Sequence, residues 1–122
     1  MEVAYWIVAG LLAVFYLYAG GMKVVRSQAQ LQPMMGWAGT MIPMPVVRLI
    51  GVVEVLGAIG LILPPATGVA EVLALVSAIG FVVLQALASG VHLSRGERQQ
   101  TGMNVVLIVW AAVIVWLATV WL

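Results

Sequence analysis

The sequence predicts an all-α fold, a transmembrane four-helix bundle, and three observations carry that expectation. Hydrophobic residues make up 65% of the 122-residue chain and charged residues only 7%. A soluble domain carries roughly 25% charged residues to coat its surface, so the solvent for most of this chain is lipid. The apolar residues also gather in four long runs, each close to the roughly 20 residues that cross a bilayer core of about 30 Å. Finally, lysine and arginine lie only at the edges of those runs or between them.

The first span, residues 3–23, is uncharged from Val3 to Met22. It does not read as a signal peptide. Met1-Glu2 supplies no positive leader, and the apolar run exceeds the roughly 7–15 residues of such a segment. The second span, residues 47–63, holds only Glu54 after Arg48, and Pro64-Pro65 is expected to end it sharply. The third, residues 70–91, is uncharged between Glu71 and His92. Glu71 suits the positive end of the helix dipole and is read as structural. The fourth, residues 103–121, carries no charge. Little chain is left over, so residues 1–122 are expected to form a single transmembrane domain.

The charges orient it. Lys23, Arg26 and Arg48 flank the first connection, and Arg95 and Arg98 lie in the third. Four spans put those connections on one side of the membrane, and the other side has neither Lys nor Arg. The positive-inside rule then predicts a multi-pass protein of the cell membrane with both termini outside the cytoplasm. Trp6, Trp116 and Trp121 fall near the outer interface, as an aromatic belt does.

The first connection, residues 26–45, mixes Gln28, Gln30 and Gln32 with Trp37, three prolines and the methionines Met34, Met35, Met41 and Met44. It is too apolar for a free loop and too broken for a fifth span. It is expected to lie in the interface or to fold back over the bundle mouth. A Met-rich flap suits an adaptable lid over a greasy ligand.

Composition also excludes. The net charge is +1 and no basic run exists, so no nucleic-acid partner is expected. The absence of cysteine removes disulfides, thiolate metal sites and CxxC redox chemistry. One histidine and one or two carboxylates make a poor ligand set, so neither metal nor other cofactor is expected.

Against that background Glu54 stands out. A carboxylate on a membrane-spanning helix is expensive, so it faces a bundle interior or a wet cavity and suggests a functional site. Helical spacing puts Ala9, Ala13, Tyr16, Gly20 and Lys23 on one stripe of the first span. It does the same for Gly51, Glu54, Gly57 and Ala58 on the second. On the third it aligns Ala74, Ala78, Gln85, Ser89 and His92, and on the fourth Asn104, Ile108, Ala111 and Ala118. Each stripe mixes small residues, which let membrane helices approach closely, with polar ones. Lys23, Arg48, His92 and Asn104 sit at one end of their helices. Glu54 lies six residues inward of Arg48, about 9 Å at 1.5 Å per residue, and Gln85 and Tyr16 come level with it. The polar groups thus outline a funnel that opens on the cytoplasmic side. Candidate catalytic residues are Glu54, Lys23 and His92, with Lys23 the favoured counter-ion of Glu54. Candidate substrate-binding residues are Tyr16, Gln85, Arg48, Asn104 and Trp37.

The run Ala19-Gly20-Gly21-Met22-Lys23, the stretch Arg48 to Pro64 with Glu54 among spaced glycines, and Gln85-Ala86 with His92 resemble the DoxX-like family of small four-span membrane proteins. That resemblance implies a four-helix transmembrane bundle with a shared polar cluster matching Lys23, Glu54 and His92. Members are linked to a thiosulfate:quinone oxidoreductase and to oxidative-stress complexes, and an animal acetylcholine-receptor chaperone is similar in architecture.

Three functions fit. The first is an intramembrane acid/base enzyme that isomerises or cyclises an isoprenoid- or quinone-like lipophilic substrate, with Tyr16 and Phe15 offering ring faces to a developing cation. A second is a non-catalytic subunit or assembly factor docked on a membrane-protein partner; a homodimer is equally compatible with so much lipid-facing surface. The third is a small proton-coupled multidrug-type transporter, although such pumps carry their glutamate on the first helix, where this chain has Tyr16.

Overall fold

The computed structural model describes residues 1–31, 33, 35, 38, 39 and 42–122. Four long helices dominate them: α1 (Glu2–Val25), α3 (Met44–Thr67), α4 (Val72–Ser94) and α5 (Arg98–Leu117). A short α2 (Gln28–Leu31) lies in the first connection, and a 3-10 turn, Ala118–Trp121, closes the chain. Neighbours pack in the ring α1–α3–α4–α5, with α5 returning to α1. Among the described residues four helices are long and apolar enough to cross a membrane. The chain is a multi-pass membrane protein with the all-α fold its composition predicts.

Lipid solvation explains which face each helix buries. On α1 the buried residues are Tyr5, Ala9, Leu12, Ala13, Tyr16, Ala19, Gly20, Met22 and Lys23, most of them on one face at spacings of three and four. Val3, Ile7, Leu11 and Val14 point outward. Without a hydrophobic drive between helices in lipid, close van der Waals contact must hold them. Small side chains permit it: Ala9, Ala58, Ala74, Ala78 and Ala111 are fully or almost fully buried along the seams. Larger groups lock the layers. Tyr16 stacks on Phe81 at 3.9 Å, and Trp110 on α5 donates through Nε1 to Val8 O on α1 at 3.0 Å.

Pro64 and Pro65 do not end the second membrane helix, contrary to the sequence expectation. α3 runs on to Thr67 and stops at Gly68, whose φ of 72° closes the last turn with an N–H bond to Pro64 O. A proline in a helix strips the carbonyl four residues back of its donor. For Pro65 that carbonyl is Leu61 O, and the Tyr5 hydroxyl of α1 donates to it at 2.5 Å. A neighbouring helix thus supplies the missing donor, which is how membrane helices tolerate proline. Tyr5→Phe is expected to destabilise the bundle by about 1–3 kcal/mol, the cost of a bare buried acceptor. In a Pro65→Ala background, where the N–H returns, the same change costs less. Thermal unfolding of the four proteins of this cycle in detergent checks the coupling.

Described residues of the first connection pack against the ends of α1 and α3. Ser27 and Gln30 cap α2 reciprocally, Gln30 Oε1 accepting from Ser27 N at 2.9 Å and Ser27 Oγ from Gln30 N at 3.3 Å. Leu31 and Ala38 are fully buried and pack with Met22 of α1 and Val47 of α3. Met34, Trp37 and Met41, on which the flap reading also leaned, lie outside the described residues.

Candidate functional site

The site begins at a helix crossing. A Cβ built on Gly51 of α3 would stand 2.7 Å from Gly20 O of α1 and 2.7 Å from Lys23 Cβ. A Cβ on Gly20 would stand 2.7 Å from Gly51 O. Backbone meets backbone here because neither residue has a side chain. Side chains on a helix lean toward its N-terminus, so Lys23, near the end of α1, reaches back along the crossing instead of out to water. Lys23 Nζ and Glu54 Oε1 lie 2.5 Å apart, with side chains 9% and 2% exposed. The carboxylate therefore faces the bundle, not the lipid.

A second polar group lies beside the pair. Asn104 Nδ2 on α5 donates to Gln85 Oε1 on α4 at 2.6 Å, and Gln85 Nε2 donates to the Tyr16 hydroxyl on α1 at 2.7 Å. Three helices are joined by two hydrogen bonds whose groups are all buried.

Two cavities meet at these groups. One, of about 190 Å³, lies between α3 and α4, walled by Ile50, Leu84, Leu87 and Val91. The other, of about 170 Å³, lies between α1, α4 and α5, walled by Phe15, Met103, Asn104 and Leu107. Lys23, Glu54, Gln85, Ala88 and His92 line both. From the first connection, Ile42 reaches the first cavity and Met35 the second. Leu87 is 68% exposed, so the first cavity borders the lipid-facing surface.

The structure therefore gathers Lys23, Glu54, Tyr16, Gln85, His92 and Asn104 in one region. Arg48 is not among them. Its Nη1 donates to Lys23 O at 2.7 Å and also to Arg26 O, satisfying carbonyls that the end of α1 leaves without an intrahelical donor. Trp37 falls outside the described residues. Among the described residues no group of three or more His, Asp, Glu or Cys is placed to hold a metal ion.

Two residues escaped the sequence reading. Glu97 lies in the turn between α4 and α5, its Oε1 3.0 Å from His92 Nδ1 and 2.8 Å from Arg95 Nε. The hydrogen bond with His92, followed by Arg95, holds its carboxyl below the usual carboxylate range. The available signal was Arg95-Gly96-Glu97, an opposite-charge pair across a glycine three residues after His92. Ala88 also escaped notice: it carries no chemistry, yet it stands where both cavities meet.

A four-span bundle with an ion pair buried between two cavities defines a small multi-pass membrane protein with an internal polar chamber. The DoxX-like family model matches residues 7–114, and the chain belongs to that family. No curated protein and no solved structure matches the chain.

Proposed function

We propose that this protein binds a lipophilic small molecule in the chamber around Glu54 and exchanges a proton with it. The Lys23–Glu54 pair carries the reading. Taking two charges out of water costs several kcal/mol per ion, and these two stand beside open volume instead of being packed away. An ammonium and a carboxylate in contact form a donor and an acceptor of protons with little water to compete. Taking a proton from one carbon of an unsaturated substrate and returning one to another shifts its double bond or closes a ring. That balances without oxidant or reductant, so an isoprenoid- or quinone-like substrate suits isomerisation or cyclisation. The lipid-bordering wall at Leu87 gives such a molecule a lateral approach from the membrane. His92 and Glu97 connect the chamber to the turn at the bundle end.

In this reading the protein sits in the cell membrane with its cation-bearing end in the cytoplasm and both termini outside. Lys23, Arg26, Arg48, Arg95 and Arg98, on the two connections that share a side, support that orientation.

The test is mass spectrometry of small molecules that travel with the purified protein. Ala88→Phe fills the junction of both cavities without removing a polar group, and it is expected to displace a molecule that the wild type retains. Glu54→Gln is expected to abolish turnover of that molecule. Identical extracts from wild type and Ala88→Phe would sink the binding reading. Undiminished turnover by Glu54→Gln would sink the proton-transfer reading.

A further inference from the structure

Asn104, which lines the cavity between α1, α4 and α5, carries a polar atom without a partner among the described residues. Asn104 Oδ1 is buried and accepts no hydrogen bond, while Nδ2 of the same amide is held by Gln85 at 2.6 Å. Asn104 as a whole is 6% exposed. A bare acceptor in so apolar a place is costly, and natural structures rarely keep one without a reason. The hydrogen bonds run one way, Asn104 donating to Gln85 and Gln85 to Tyr16. The Asn104 end of this chain therefore presents an acceptor. Phe15, Met103 and Leu107 form the apolar part of the cavity wall, and Lys23, Glu54, Gln85 and His92 its polar part.

An acceptor left unspent at the edge of a largely apolar cavity matches an apolar molecule that carries a donor. We infer that Asn104 Oδ1 receives the hydroxyl hydrogen of the bound ligand, which makes that ligand a lipophilic alcohol or phenol, such as the hydroquinone form of a quinone-like molecule, in preference to the corresponding ether. The inference rests on the reading of the chamber as a binding site and adds the chemistry of the ligand's head. Size agrees with it. Apolar cavities of about 150 Å³ accommodate one benzene ring, and this one measures about 170 Å³. A single hydroxylated ring fits in it, with any tail left to the lipid.

The experiment compares 4-hexylphenol with 4-hexylanisole, which share ring and tail and differ in the hydroxyl hydrogen. Binding is measured to the full chain in lipid nanodiscs. Wild type is expected to hold the phenol about tenfold more tightly, since a buried acceptor discriminates strongly against a partner without a donor. Asn104→Leu is expected to bind both equally, with its fold checked by thermal unfolding. Glu54→Gln, which leaves Asn104 in place, is expected to keep the preference for the phenol, and its loss there would assign the hydroxyl to Glu54 and overturn the role of Asn104 even if Asn104→Leu does not fold. Equal wild-type binding of both probes, weakened by Ala88→Phe, overturns the role of Asn104 and leaves the chamber a binding site. A preference for the anisole overturns it too, because the amide then offers its NH₂ to the cavity. Binding of neither probe overturns both readings.

Discussion

Glu54→Ala is expected to destabilise the bundle by about 3–5 kcal/mol, because it leaves an ammonium buried without its counter-ion. Lys23 is 7% exposed and Glu54 2% exposed, so solvent screens neither group well. Lys23 stands two residues from the end of α1 at Val25 and can partly regain water by swinging outward, which favours the lower end of that range. Glu54 stands ten residues inside α3, and its short side chain has no such route. Replacing both charges together, as Lys23→Met with Glu54→Leu, has a different outcome. Exchanging a buried ion pair for apolar groups of similar volume is often neutral or stabilising by about 1–4 kcal/mol. The double variant should therefore unfold near wild type in thermal or SDS titrations, while Glu54→Ala unfolds well before it. It should also have lost the copurifying lipophile. A folded double variant that still carries the molecule would make the pair a packing device, and the proposed site would fall with it. A double variant as unstable as Glu54→Ala would mean that the bundle itself needs the charges.

The spans and their inward stripes were legible because lipid leaves a sequence few options. Apolar runs must be about 20 residues long, and polar groups must share a face spaced by the helical repeat. Those two constraints placed Tyr16 and Lys23 on one stripe of the first span. They also put Glu54 and Gln85 at matching depth on their neighbours. What the stripes could not show was which groups pair across helices. The expectation that Pro64-Pro65 ends a helix followed from the local chain. The donor that overrides it belongs to Tyr5, 56 residues before the Leu61 carbonyl it satisfies, and no local pattern points to it. Arg48 has the right depth and charge for a ligand contact, yet the orphaned carbonyls at the end of α1 claim it. Those carbonyls exist only because α1 stops at Val25. The link between Glu97 and His92 was missed for a related reason. A connecting turn imposes no helical period, so nothing in the spacing tied it to His92. The bare oxygen of Asn104 is a property of three packed helices, and reading it requires knowing where the other half of its amide is spent.

Gly51→Ala and Gly21→Ala are expected to move stability in opposite directions, although both place one methyl group on a membrane helix near the same crossing. At Gly21 an added Cβ finds no atom within 4 Å. That substitution should be neutral, or stabilising by up to about 1 kcal/mol through helix propensity. At Gly51 the added Cβ would stand 2.7 Å from a backbone oxygen of α1, which no rotamer change can relieve. The helices must part, and overpacking of this kind costs about 1–3 kcal/mol. Gly51→Val should cost more, since its branched methyl groups also crowd Lys23 and Val24. The functional consequence follows from the same contact. The 2.5 Å Lys23–Glu54 distance depends on the two backbones touching where Gly20 meets Gly51, so a wider crossing pulls the ammonium off the carboxylate. Ligand retention should therefore fall in Gly51→Ala even at temperatures where the bundle remains folded. Thermal unfolding and copurifying lipophile, measured on both single variants, check the pair of expectations. If Gly51→Ala melts with Gly21→Ala and holds the same molecule, the close crossing does not position the ion pair.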